Sequence, residues 1–184
     1  MQFFISDLHL CHFKILEWEK EKRPFRHVFE MHDYLISKWN SVVMPDDKVF
    51  VLGDVFLGGP YLNDEDKLNK YKEVERVLKE LNGDKVLVMG NHDTDPEKLG
   101  CFADHFVAIA GSVEYKRYVC THIPIHPSQL EHRWKGNIHG HLHSKRVMKQ
   151  KMDGLAPDER YINVSCEQVD FTPKTLEQLL SMER

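Results

Sequence analysis

Val86-Leu87-Val88-Met89-Gly90-Asn91-His92-Asp93 joins an apolar run to a turn made of an amide, an imidazole and a carboxylate. Four apolar residues in succession read as a strand buried on both faces, as in layered α/β proteins. The glycine lets the chain turn sharply, which leaves Asn91 and His92 at the strand tip. The same transition recurs elsewhere. Val49-Phe50-Val51-Leu52 leads into Gly53-Asp54, and Phe3-Phe4-Ile5 into Ser6-Asp7-Leu8-His9. Tyr118-Val119-Cys120 leads into Thr121-His122, and Asn137-Ile138 into His139-Gly140-His141-Leu142-His143. Ligand sites of open α/β sheets collect just beyond strand ends. Five strands with metal-competent tips are therefore the organisation to explain.

Helical patterns lie between these runs. Residues 28–40 carry Val28, Met31, Leu35 and Trp39 at spacings of three and four. Residues 64–82 place Leu68, Tyr71, Val74, Leu78 and Leu81 on one stripe, which Asn82-Gly83 stops. Near the end, Thr172-Pro173 starts a helix through Leu176, Leu179 and Leu180, with proline at a tolerated first position. Interleaved strands and helices predict an α/β protein. No repeat, low-complexity tract or linker divides the 184 residues, so one domain over 1–184 is expected.

Hydrophobic residues make up 41% and charged residues 29%, the balance of a soluble globular protein. A formal net charge of −4 supplies no basic field to gather nucleic acid, which counts against a dedicated duplex-binding protein. It leaves room for an enzyme that cuts small phosphate esters. The start, MQFFISDLHL, lacks a basic flank and reads as a first strand, not a signal peptide. No apolar stretch approaches the ~18 residues of a membrane span. Cys11, Cys101, Cys120 and Cys166 form no CxxC pair and read as packed, reduced thiols, so the expected home is the cytoplasm.

Of twelve histidines, six lie between His122 and His143, which raises metal binding or proton transfer against a solvated surface cluster. Singly, the motifs say little. On an extended strand, residues two apart point to the same side, so Asp7 and His9 could grip one cation; a surface Asp and His in a loop is the rival. Gly53-Asp54 alone is an ordinary turn. Gly140-His141-Leu142-His143 is the sharpest piece, a same-side pair of imidazoles beside a glycine.

Together and in this order, Asp-x-His, Gly-Asp, Gly-Asn-His-Asp, Thr-His and Gly-His-x-His resemble the calcineurin-like metallophosphoesterase family. The motifs span residues 5 to 143; Asn163-Val164 and the closing Pro173 helix look like the small prokaryotic and phage-type members. The resemblance implies a four-layer α-β-β-α sandwich, with two mixed β-sheets face to face and helices on both outer faces. It implies two divalent metal ions, one held by Asp7, His9, Asp54 and His143 and the other by Asp54, Asn91, His122 and His141. Asp54 would bridge them, since two carboxylate oxygens can face two cations. The implied reaction is hydrolysis of a phosphate monoester or diester by a metal-bound hydroxide. His92 matches the family's non-ligand histidine, which implies charge stabilisation or proton donation to the leaving group. The rival is a histidine that only braces Asn91. Leu57 and Gly58 stand where the protein Ser/Thr phosphatase branch has Asp and Arg, so this chain departs from that branch and a carboxylate partner for His92 is not visible. Asp93 and Asp95 are adjacent in sequence, but adjacency does not establish contact.

His12 and Arg23 resemble features of the small subgroup and are candidates to touch substrate phosphate. For Arg23, an exposed arginine near a helix start is an equal alternative. His126 is expected to brace a ligand or lie on the surface. Lys145, Arg146, Lys149 and Lys151 read as a solvated hairpin, with an anchor for extra phosphates as the alternative. Mixed N and O ligands suit Mn foremost, with Fe, Zn, Co or Ni open. Little room for a cap favours a small nucleotide-like or cyclic phosphate ester as the partner, with no membrane. One rival is a nuclease on DNA or RNA ends; another is a catalytically silent scaffold, against which the intact ligand positions and His92 count.

Overall fold

A computed structural model describes residues 1–182. The chain opens with β1 (Gln2–Ile5), passes through α1 (Phe13–Trp18) and α2 (Val28–Asn40), and returns as β2 (Lys48–Val51). Helix α3 (Asp64–Glu80) leads to β3 (Asp84–Val88), and α4 (Pro96–Phe102) leads to β4 (Ala108–Ala110). These strands pair in the order β1-β2-β3-β4, all parallel, each return being a helical crossover. The second half supplies β5 (Val113–Tyr115), β6 (Tyr118–Cys120) and β7 (Gly136–His139). After a separate hairpin, β8 (Met148–Lys151) with β9 (Gly154–Pro157), come β10 (Tyr161–Asn163), α5 (Cys166–Val169) and α6 (Leu176–Ser181). The second sheet has the order β10-β7-β6-β5 and is mixed, with β5 antiparallel to β6. In the first sheet the antiparallel component is a single bridge, Phe4 to Lys174.

The two sheets meet through aromatic side chains. Phe4 and Phe50 are register partners on one face, and Tyr115 of β5 packs against both, with centroids 5.3 and 6.2 Å away. Side chains alternate along a strand, so Phe3, Ile5, Val49 and Val51 face the other way. All four are buried in one cluster with Met31, Leu35 and Trp39 of α2 and Val74, Val77 and Leu78 of α3. Each fully buried side chain of this kind contributes about 1.5–3 kcal/mol. The outer face of the second sheet has a thinner cover. Val119 and Tyr161 pack there with Leu130, from a 3-10 turn at Pro127–Leu130, and with Trp134 and Val147. The α/β sandwich expected from the sequence is present, with its fourth layer reduced to that turn.

The helices begin where capping chemistry allows. Asn63 accepts from Asp66 N to start α3, whose first turn carries Asp64, Glu65 and Asp66 against the positive end of the dipole. Leu68 is 52% exposed, so the expected stripe on α3 is wrong at that position and Val77 is buried instead. The last helix also starts later than predicted. Phe4 and Lys174 exchange backbone hydrogen bonds of 2.9 and 3.1 Å, which holds the segment around Pro173 extended. Helix α6 then begins after Thr175, in a capping box with Gln178. The basic run past the last motif does form a hairpin, β8 with β9. All four cysteines are free. Among the described residues, no helix is long and apolar enough to cross a membrane.

Candidate metal centre

The five motif turns interlock at the C-terminal ends of β1, β2, β3, β6 and β7. Asp7 N and His9 N donate to Gly53 O and Asp54 O, each at 3.0 Å, so the first two turns run side by side. Asp7, His9, Asp54, His141 and His143 all have positive φ, between 48° and 67°. The extended-strand argument for the Asp7–His9 and His141–His143 pairs is therefore incorrect. β1 ends at Ile5 and β7 at His139. With left-handed backbone at alternate residues beyond the strand, Asp7 and His9 meet in one cluster, whereas His143 joins them and His141 turns to Asp54 and His122. Such conformations cost roughly 1–3 kcal/mol each and persist where surroundings over-determine them, commonly at functional sites. Gly90 and Gly140 are needed for close approach. A Cβ on Gly90 would lie 2.5 Å from Asp54 N, and one on Gly140 would collide with Ser6 and the Asp7 carboxylate.

Two ligand-competent clusters result: Asp7, His9 and His143 in one, and Asp54, His122 and His141 in the other, each with donor atoms within 4.8 Å of one another. They are not separate. Asp54 Oδ2 is 3.3 Å from His122 Nε2 in its own cluster and 3.6 Å from His9 Nε2 in the other. Asn91 Oδ1 lies 3.0 Å from His122 Nε2. His9 Nε2 is buried without any hydrogen-bond partner, an orphaned lone pair or proton aimed at two carboxylates. A buried unpaired nitrogen is costly unless something binds it. The donor set, mixed imidazole and carboxylate without thiolate, fits a divalent cation.

The electrostatics agree with that fit. Burial alone would raise the carboxyl of Asp7, but the His9, His122 and His143 imidazoles outweigh it and hold it well below the usual range. Asp54 is lowered in the same way: burial opposes, and a hydrogen bond from His122 prevails. Conversely, burial would lower His122, yet Asp54 and Asp7 pull it up to about 9. Two buried carboxylates thus create a field that draws positive charge onto their neighbours. His12 is the opposite case: burial, with His9 and His92 nearby, pushes it down to about 3.

Supporting side chains hold the ligand-competent atoms in place. His122 Nδ1 donates to Leu52 O at 2.8 Å, and His143 Nδ1 lies 3.0 Å from Glu167 Oε1. Ser6 Oγ and Ser165 Oγ donate to Asp7 Oδ2 at 2.6 and 2.9 Å, and His141 N donates to the same oxygen at 3.0 Å. The Asp93 carboxylate accepts from Asp54 N, Val55 N and Gly90 N at 2.8–3.0 Å, tying the second turn to the third. Asp95 caps α4. Neither serves as a carboxylate partner for His92, whose Nε2 instead lies 3.9 Å from Asp54 Oδ2.

Sequence reasoning missed Glu167, Asp93, Ser6 and Ser165 as supports. A metal-competent imidazole usually has an acceptor on its other nitrogen, and that rule could have prompted a search for Glu167. His12 is buried, its Nδ1 3.1 Å from His9 Nδ1, so it touches a ligand-competent residue directly. Arg23 is a correction. It is neither exposed nor available to substrate phosphate: it is fully buried, with its Nε on Glu167 at 2.6 Å. His126 is exposed and caps the turn at Pro127–Leu130, and it belongs to neither cluster.

Facing sheets whose strand tips assemble two His/Asp clusters around a shared carboxylate define an α/β protein with a candidate metal centre. A sequence model described as calcineurin-like phosphoesterase matches residues 3–156. The chain belongs to that family of metal-dependent phosphoesterases. It is 32% identical to an uncharacterized protein of Methanocaldococcus jannaschii over 181 residues, covering 98% of this chain and 89% of that one. The gene 66 protein of Mycobacterium phage L5 is 28% identical, with 80% of each chain covered. The crystal structure of a protein of unknown function from Aquifex aeolicus superposes with a TM-score of 0.68 at 27% identity, covering 97% of both chains.

Proposed function

We propose that this protein is a single-domain, cytoplasmic hydrolase of phosphate monoesters or diesters with a dinuclear centre. Asp7, His9, His143 and Asp54 would hold one divalent ion, and Asp54, Asn91, His122 and His141 the other. The observation that carries the reading is Asp54, whose Oδ2 faces an imidazole nitrogen of each cluster. When bound, two such ions supply Lewis-acid charge for an in-line displacement at phosphorus and acidify water. Manganese is the foremost candidate, with Fe, Zn, Co or Ni also suited to the donors.

His92 is the proposed catalytic residue. Its ring has no hydrogen-bond partner among the described residues, and its side chain is 39% exposed beside Asp54. A ring nitrogen is therefore free to donate a proton to a departing alkoxide or to steady charge on the phosphoryl oxygens. Asn91 is exposed next to it, so the centre opens to solvent. That openness supports a small nucleotide-like or cyclic ester as substrate. The test is to strip the protein with a chelator, assay mono-, di- and cyclic phosphate esters, and add Mn²⁺ back. Hydrolysis should vanish and return. Full activity in the stripped protein would overturn the reading.

A further inference from the structure

The Asp7–His9–His143 cluster is built on two turns far apart in the chain, and one buried ion pair touches both. Arg23 Nη2 donates to Asp7 O at 2.6 Å, and Nη1 donates to Leu8 O at 3.4 Å. The Nε of the same guanidinium donates to Glu167 Oε1 at 2.6 Å, and that oxygen lies 3.0 Å from His143 Nδ1. An ionised carboxylate can only accept, so His143 carries a proton on Nδ1, which leaves Nε2 as the nitrogen that the neutral ring can offer to a cation. That Nε2 lies 3.9 Å from Asp7 Oδ1. Arginine stays charged in proteins, so Arg23 keeps Glu167 an acceptor. Meanwhile its other donors hold the carbonyls of a turn in which Asp7 has φ 58°. Arg23 and Glu167 are 0% exposed at their side chains, and all the reach of the arginine is spent inside.

We propose that the Arg23–Glu167 pair is a positioning device that fixes the His143 tautomer and the Asp7–Leu8 turn together, so that the first cluster is preformed before an ion arrives. The inference rests on the reading of that cluster as a metal site. Arg23 and Glu167 are positioning residues; neither reaches substrate.

Two variants separate positioning from folding. Removing one charge of a buried pair leaves the other unpaired, whereas replacing both with apolar residues is often neutral. Arg23→Met/Glu167→Leu should therefore fold, as judged by circular dichroism. In calorimetric titration with Mn²⁺ the wild type should bind two ions. The double variant should bind one of them about 10–100-fold more weakly, with the other unchanged. Glu167→Gln, whose amide oxygen can still accept from His143, should fall between. A folded double variant with two wild-type affinities overturns the proposal. Wild type that binds no ion overturns the metal reading instead, which is a distinct result. A measurement without any substitution in the pair covers a variant that fails to fold. Histidine ¹⁵N resonances of metal-stripped wild type, above the imidazole titration range, should show His143 protonated on Nδ1, assigned by its loss in His143→Gln. Protonation on Nε2 overturns the proposal.

Discussion

Gly140→Ala adds one methyl group where the two halves of the site touch. The new Cβ would lie 2.8 Å from Ser6 Cβ and closer still to Ser6 Oγ and Asp7 Oδ2, against an ordinary contact of 3.4–4 Å. Something must move by roughly 1 Å to restore van der Waals separation. Asp7 cannot move freely, because Ser6, Ser165 and His141 all donate to its Oδ2. Overpacking of this kind costs about 1–3 kcal/mol. Losing one hydrogen bond to a buried charged group adds about 1.5–3 kcal/mol. The sum, about 2.5–6 kcal/mol, lowers Tm by roughly 5–24 °C for a chain of this size. A displaced Asp7 should also cost on the order of 10² in turnover. Thermal melts and Mn²⁺ titration of the variant are the assay. Gly100→Ala is the control. Gly100 lies in α4 with nothing within 4 Å of an added Cβ, so that change should stabilise by about 0.5–1 kcal/mol. A Gly140→Ala protein with unchanged Tm and unchanged metal affinity would refute the packing argument.

His92→Ala should retain both ions and lose about 10²–10⁴ in rate on alkyl phosphate esters, with a clearly smaller loss on nitrophenyl esters, whose leaving group needs no proton. Equal losses on both would assign His92 to electrostatic stabilisation instead. Asp54→Asn should weaken both ions at once in a metal analysis of the purified protein; loss of one alone would remove Asp54 from the shared position. Glu73 offers a pH test at a group outside the two clusters. Burial would raise it, but hydrogen bonds from His32 and Arg76 outweigh burial and hold its carboxyl at about 2, below its ordinary 4.5. Because the folded value is depressed, the stabilisation is present above about pH 4.5 and fades as pH falls toward 2. The Tm gap between wild type and Glu73→Gln should therefore shrink over that interval; a gap constant with pH would show that the charge is not the cause.

The sequence alone determined which strand tips carry metal-competent side chains. Apolar runs and abrupt polar turns are local patterns that mark Asp7, His9, Asp54, Asn91, His122, His141 and His143 as metal-competent; their assignment as one ligand set comes from the order of the motifs and the family it resembles. Helix α2 was legible for the same reason, because a stripe at spacings of three and four reports burial directly. What is non-local was not legible. The late start of α6 follows from an antiparallel bridge between Phe4 and Lys174, 170 positions apart, which no helix signal near Pro173 encodes. The left-handed turns at Asp7 and His141 follow from hydrogen bonds to partners in other motifs, so strand periodicity gave a wrong local picture of how Asp7 meets His9 and of His141 and His143, which part to different clusters. Arg23 shows the limit most clearly. Its sequence context permitted an exposed, substrate-facing arginine, and only the packing of Glu167, 144 positions away, decided that its charge is spent inside. A side chain's partners across the chain are fixed by how the layers pack, and a single sequence carries no local trace of that distance.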